Sequence, residues 1–183
     1  MISLATIDYF TREGLPYLIV GFFYFWLLQP FATLSHELGH VLFAIFFSKG
    51  KILIRVGESK EHSFRVRLKL GRRLYFLIGL RNPRSGVTIF RQQNVFTRSL
   101  ILLGGPFFSF FITVLTGYVL FSNSFSASIE VLLAVWFCLN LLSFLRSALP
   151  VMLKPTKSCP SGVPSDALQI LRLLSRGKQN SVN

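Results

Sequence analysis

Apolar residues run along this chain in three long blocks, Leu15–Phe47, Ser99–Phe121 and Ala127–Leu145, and within them only Glu37 and Glu130 carry a formal charge. Blocks of that length reach or approach the roughly 20 residues that cross a bilayer as helix, so they predict three transmembrane helices. The first, 33 residues long, exceeds one straight crossing. It is expected to tilt, to extend beyond the hydrocarbon, or to break near Pro30, and a break there would make four segments. Between the first two blocks the pattern changes period. Phe64-Arg65-Val66-Arg67-Leu68-Lys69-Leu70 alternates apolar and basic residues, as a half-buried strand does. Ile52–Val56, Leu74–Leu80 and Val87–Phe90 are shorter strand candidates, punctuated by Gly57, Gly71, Asn82-Pro83 and Ser85-Gly86. The expected fold class is an α-helical integral membrane protein with a small β-rich insertion at the interface between its first and second spans.

Composition sharpens this picture through charge. The 183 residues are 51% hydrophobic yet carry a net charge of +13, so apolar and basic residues are segregated. Of the 20 Lys and Arg residues, 13 fall between Lys49 and Arg98, six between Arg146 and Lys178, one at Arg12, and none between the second and third blocks. By the positive-inside rule, residues 48–98 and the tail 146–183 are expected in the cytoplasm, in a cell (plasma or inner) membrane, with the N-terminus and the Ser122–Ser126 link outside. The same rule accounts for the basic surface, so no nucleic-acid partner is expected; the basic face of the sheet would instead meet anionic lipid headgroups. Asp8 and Glu13 stand where a basic n-region would be, so no removable signal peptide is expected. Cys138 in the third block and Cys159 in the tail offer little prospect of a disulfide. No long linker, repeat or low-complexity stretch divides the chain, and 1–183 reads as one membrane-embedded unit.

The candidate chemistry lies in the first block, at His36-Glu37-Leu38-Gly39-His40. On a helix His36 and His40 stand at i and i+4, so both imidazoles leave one face and can close on one metal ion, with Glu37 beside it to hold a water. Two imidazoles and an oxygen ligand suit Zn2+, which keeps a fourth position open and acidifies a bound water to a pKa of about 7. Glu37 would then be the general base. The blander reading is packing within the bundle, but leaving three polar side chains unpartnered in hydrocarbon costs several kcal/mol.

A third ligand can be sought by elimination, because the chain holds only seven acids and one further histidine. Asp8 and Glu13 precede the first span, and Glu130 sits near the outer end of the third. Glu58, Glu61 and His62 are in the polar connector. Asp166 follows the third span on the cytoplasmic side and is the best fit. Taken alone, Pro164-Ser165-Asp166-Ala167 before the amphipathic run Ala167, Ile170, Leu171, Leu174 reads as a helix N-cap; the need for an anionic ligand reverses that order. Asn140, inside a span, needs a hydrogen-bond partner and either bridges helices or reaches the substrate or oxyanion. Gly104-Gly105-Pro106 permits close helix approach and frees a backbone carbonyl, as ordinary bundle packing also would. The edge of the sheet could add an unwound peptide as a further strand, or the segment could be a solvated connector.

These residues together resemble the site-2 protease family of intramembrane zinc metalloproteases: His36-Glu37-Leu38-Gly39-His40 in a membrane helix, a β-rich connector, Gly104-Gly105-Pro106 early in the next span, then Asn140 and Asp166. The resemblance implies Asp166 as the third zinc ligand, Asn140 near the active centre, and regulated intramembrane proteolysis of a membrane-protein substrate. Ala167 stands where the family usually has glycine, Ser109 where many members have asparagine, and 25 residues separate Asn140 from Asp166. The expected reaction is peptide-bond hydrolysis by metal-activated water; the alternatives are a non-catalytic metal-binding membrane regulator and, less favoured, a metal or proton transporter. The sequence leaves substrate and oligomeric state open.

Overall fold

The computed structural model of the chain describes residues 4–48, 50–56, 66–78, 86–90, 94–153 and 162–179, with side chains described from residue 14 onward except at 66, 67, 70, 78, 90 and 176–179. Helix α1 covers Leu4–Phe47, α2 Val95–Ser122 and α3 Ala127–Ala148. Among the described residues these are the three helices long and apolar enough to cross a membrane. α1 runs without interruption through Pro30, so the expected alternative of a break into four segments is not realised. Its apolar part, Gly14–Phe47, has 34 residues; at 1.5 Å per residue that is about 51 Å against a hydrocarbon core of about 30 Å. The helix therefore tilts or projects beyond the bilayer. Large side chains such as Phe22, Phe46, Phe107 and Phe121 are exposed on the bundle surface, as lipid-facing positions are.

The insertion forms a small sheet, as expected, and it has four strands. Strands β1 (Ile52–Val56), β2 (Val66–Leu70), β3 (Leu74–Ile78) and β4 (Gly86–Phe90) lie in the order β2-β3-β1-β4. β1 is parallel to β3 and antiparallel to β4, and β2–β3 is a hairpin across Gly71, whose φ of 66° suits glycine. Residues 64–65 and 79–80 of the expected strands lie outside the described residues. Ile52, Ile54 and Val56 leave one face of β1 and bury against Val41 and Ala44 of α1 and Ile101 of α2. Burying such a side chain contributes about 1.5–3 kcal/mol, so the sheet is seated on the ends of α1 and α2 rather than hanging as a solvated connector. Arg73 completes the seat: its Nε donates to Gly50 O at 3.1 Å and its Nη2 donates to Ser48 O. That places a cation just past the C-terminus of α1, whose last turn holds no basic residue.

After α3 the chain forms a feature the hydropathy pattern did not foreshadow, a two-residue ladder of β5 (Met152–Leu153) with β6 (Val163–Pro164). Gly162 enters it at φ 80°, and a Cβ there would stand 2.5 Å from Leu153 O, so only glycine fits. The ladder returns the chain to the bundle, where α4 (Asp166–Gln179) begins against α2. The sheet, the C-terminal half of α1 and the start of α4 thus gather at one end of the bundle.

Candidate metal centre

His36 and His40 leave one face of α1 with their rings edge to face, centroids 4.9 Å apart. Across from them, Asp166 is the first residue of α4. Its Oδ2 lies 3.2 Å from His36 Nε2 and 3.5 Å from His40 Nε2, and the three ligand atoms lie within 4.8 Å of one another. Tetrahedral ligands held about 2.0–2.1 Å from zinc stand about 3.3 Å apart, so the spacing and the two-nitrogen, one-oxygen donor set fit that ion. Among the described residues this is the one cluster of at least three such donors. Burial alone would raise the Asp166 pKa, but hydrogen bonds from His36 and His40, and their positive charge, outweigh it and hold it down to about 2. The carboxylate is therefore ionised at neutral pH, as a ligand must be.

What frees Asp166 for this position is its neighbour. Ser165, not Asp166, caps α4: its Oγ accepts from Leu168 N at 3.3 Å, three residues on. The same hydroxyl donates to Leu149 O at 2.6 Å and accepts from Val151 N at 3.2 Å, tying the start of α4 to the end of α3. The aspartate side chain, relieved of capping, turns toward the histidines.

The imidazoles are held from behind. His36 Nδ1 lies 3.0 Å from Ser109 Oγ, and His40 Nδ1 lies 2.9 Å from Ile101 O. Gly105 N also lies 3.2 Å from His40 Nδ1, but one nitrogen cannot donate to the carbonyl and accept from the amide at once. A metal on Nε2 would leave the ring proton on Nδ1, and the shorter Ile101 contact would then be the bond that counts for His40. The Ile101 carbonyl and the Ser109 hydroxyl thus orient the two rings with Nε2 toward Asp166.

Glycines make the room. A Cβ on Gly39 would overlap Gly104 O, and one on Gly104 would stand 2.5 Å from Gly39 O, so α1 and α2 cross with backbones in contact. A Cβ on Gly105 would overlap His40 Nε2 and stand 2.7 Å from His36 Nε2. Gly105→Ala is therefore expected to empty the site of metal, even though alanine favours a helix by about 1 kcal/mol over glycine. Metal analysis of the folded variant checks this; a full complement of zinc would show that the rings have room to move.

Glu37, 5% exposed, lies beside the ligands and under β4. Thr88 Oγ1 donates to Glu37 Oε2 at 2.6 Å, and a Cβ on Gly86 would stand 2.5 Å from Oε1. Asn140 is fully buried in α3. Its Nδ2 donates to Trp136 O at 2.9 Å within the same helix, and its Oδ1 has no partner among the described residues. It thus presents an acceptor. The other acids considered as ligands are elsewhere or outside the description: Glu130 accepts from Phe125 N at 3.4 Å at the far end of α3, while residues 58, 61 and 62 lie outside the described residues, as do the side chains of Asp8 and Glu13.

Sequence reasoning passed over Thr88 and Gly86, saw Ser109 only as a departure from a family pattern, and left Gly105 as packing. A signal existed for the first pair: residues 86 and 88 share one face of a strand, and a small residue and a hydroxyl on that face of an otherwise apolar and basic sheet mark a close contact.

Comparison with known proteins bears on this arrangement. The Peptidase M50B-like family model matches residues 15–156, which takes in α1 from its apolar part onward, the sheet, α2 and α3, but stops before Asp166. No curated protein is significantly similar in sequence. The three apolar helices and the matched family make this an integral membrane protein. With most of its length matched, the chain belongs to the Peptidase M50B-like family, the site-2 protease family of membrane peptidases.

Proposed function

We propose that this protein is a zinc-dependent intramembrane endopeptidase, with His36, His40 and Asp166 as the metal ligands and Glu37 as the general base. The observation that carries this reading is the convergence of His36 Nε2, His40 Nε2 and Asp166 Oδ2 with Glu37 alongside, since a site that only held structure together would have no use for a buried carboxylate next to it. Zinc, when bound there, supplies polarisation of the scissile carbonyl and acidification of a water. The chain's own residues do the rest. Ser109 and Ile101 O keep both imidazoles aimed, Glu37 takes the proton from the attacking water and passes it to the leaving amine, and the seated sheet limits how much bulk water enters.

The substrate is a membrane protein. A helical segment hides its carbonyls in its own hydrogen bonds and must unwind before attack; β4, an edge strand beside Glu37, supports capture of the unwound stretch by strand addition. The basic segments 48–98 and 146–183 support a cytoplasmic orientation for this end of the bundle, in a cell membrane. Purified protein reconstituted with membrane-segment peptides is expected to carry zinc and to cleave them, with chelation stopping the reaction and zinc restoring it. Bound zinc with no cleavage of any such peptide would instead favour a non-catalytic regulator, and zinc flux across proteoliposomes a transporter.

A further inference from the structure

We infer that Thr88 is a positioning residue for Glu37, and that the Gly86-Val87-Thr88 stretch of β4 is a built part of the reaction centre. The inference rests on the peptidase reading above but draws on a separate observation. One strand hydrogen-bonds one oxygen of Glu37 and closely approaches the other. Thr88 Oγ1 donates to Oε2 at 2.6 Å, a short charge-assisted bond, and its contact to Glu37 O, at 3.4 Å, is too long to compete. On the other side the backbone of Gly86 closes on Oε1, with a Cβ there only 2.5 Å from Oε1, 2.6 Å from Cγ and 2.8 Å from Cδ. No residue with a side chain fits at 86 unless Glu37 moves.

The grip is rigid because β4 is. Gly86 and Thr88 pair with Val56 and Ile54 of β1, the buried strand seated on α1 and α2. Val87 and Ile89, on the alternate face, are exposed. The strand thus turns its small residue and its hydroxyl toward the carboxylate and its apolar residues away. A glutamate otherwise free to rotate about its side-chain bonds is thereby held in one orientation beside the two histidines. A general base needs that, because proton transfer requires reach of about 2.6–3.2 Å, and losing a hydrogen bond to a charged group costs about 10- to 100-fold.

Thr88→Val keeps the shape and removes the hydroxyl, and Thr88→Ser keeps the hydroxyl. In reconstituted full-length protein, Thr88→Val is expected to lower kcat about 10- to 100-fold with KM and bound zinc little changed, and Thr88→Ser to restore most of the loss. The infrared carboxylate band of Glu37, identified by its disappearance in Glu37→Gln, is expected to shift in Thr88→Val and to return in Thr88→Ser. Wild-type kcat in a zinc-loaded Thr88→Val protein overturns the positioning role and leaves the peptidase reading intact. Absence of cleavage by the wild type on every peptide removes the peptidase reading, and the infrared band then decides the Thr88 contact alone: an unshifted band in Thr88→Val overturns it.

Discussion

Replacing Glu37 with Gln lowers kcat by about 10²- to 10⁴-fold, the usual contribution of a positioned general base, while bound zinc stays at the wild-type level. The two expectations come from different parts of the site. The proposed zinc ligands are His36, His40 and Asp166, and no hydrogen bond joins any of them to Glu37 among the described residues, so a metal there would have no reason to leave. The amide keeps the volume of the carboxylate under β4 and can still meet Thr88 Oγ1 with its carbonyl oxygen, so the fold has no reason to change. Only basicity is lost. Metal analysis alongside peptide cleavage checks both halves, and undiminished zinc-dependent turnover in Glu37→Gln would remove the general-base assignment.

Asp166→Ala has the opposite signature: loss of zinc first, and of activity as a result. Removing an outer partner of a metal ligand costs about 10- to 100-fold in affinity, so removing one of three direct ligands is expected to cost more than about 100-fold. The structural penalty is small by comparison. Ser165 continues to cap α4, and the alanine forfeits only the interaction of a negative charge with the helix N-terminus, about 0.3–1 kcal/mol. The variant should therefore fold with α4 in place and fail to retain zinc on dialysis. A variant that held zinc as tightly as wild type would point to a different third ligand. Because the family match ends at residue 156, this experiment bears on the one proposed ligand outside the matched span.

Much of this could be read before any coordinates. The spans were legible because charge is so costly in hydrocarbon that it marks their ends, and the strands because Arg65, Arg67 and Lys69 alternate with apolar residues on a period of two. His36 and His40 stood out for the same reason that makes them expensive, polar groups far from water. Asp166 could be isolated because acids are scarce in this chain, although Ser165 and Asp166 are equally good caps on paper. Only the fold shows that the serine takes the cap and the aspartate the site. Thr88, Gly86 and Ser109 were illegible for a different reason: a hydroxyl or a glycine acquires its role from what lies across from it, and the partners here are 51, 49 and 73 positions away. The β5–β6 ladder is too short to carry any period at all.

The separation of His36 from Asp166, 130 positions along the chain, also sets a schedule. As the polypeptide is threaded into the membrane, α1 arrives with two imidazoles and a base but no anion to complete them, and that condition lasts until the segment beyond α3 has been translated and folded back. On the proposed reading, a chain still short of residue 166 lacks its third ligand, and hydrolysis would wait until α4 has docked against α2.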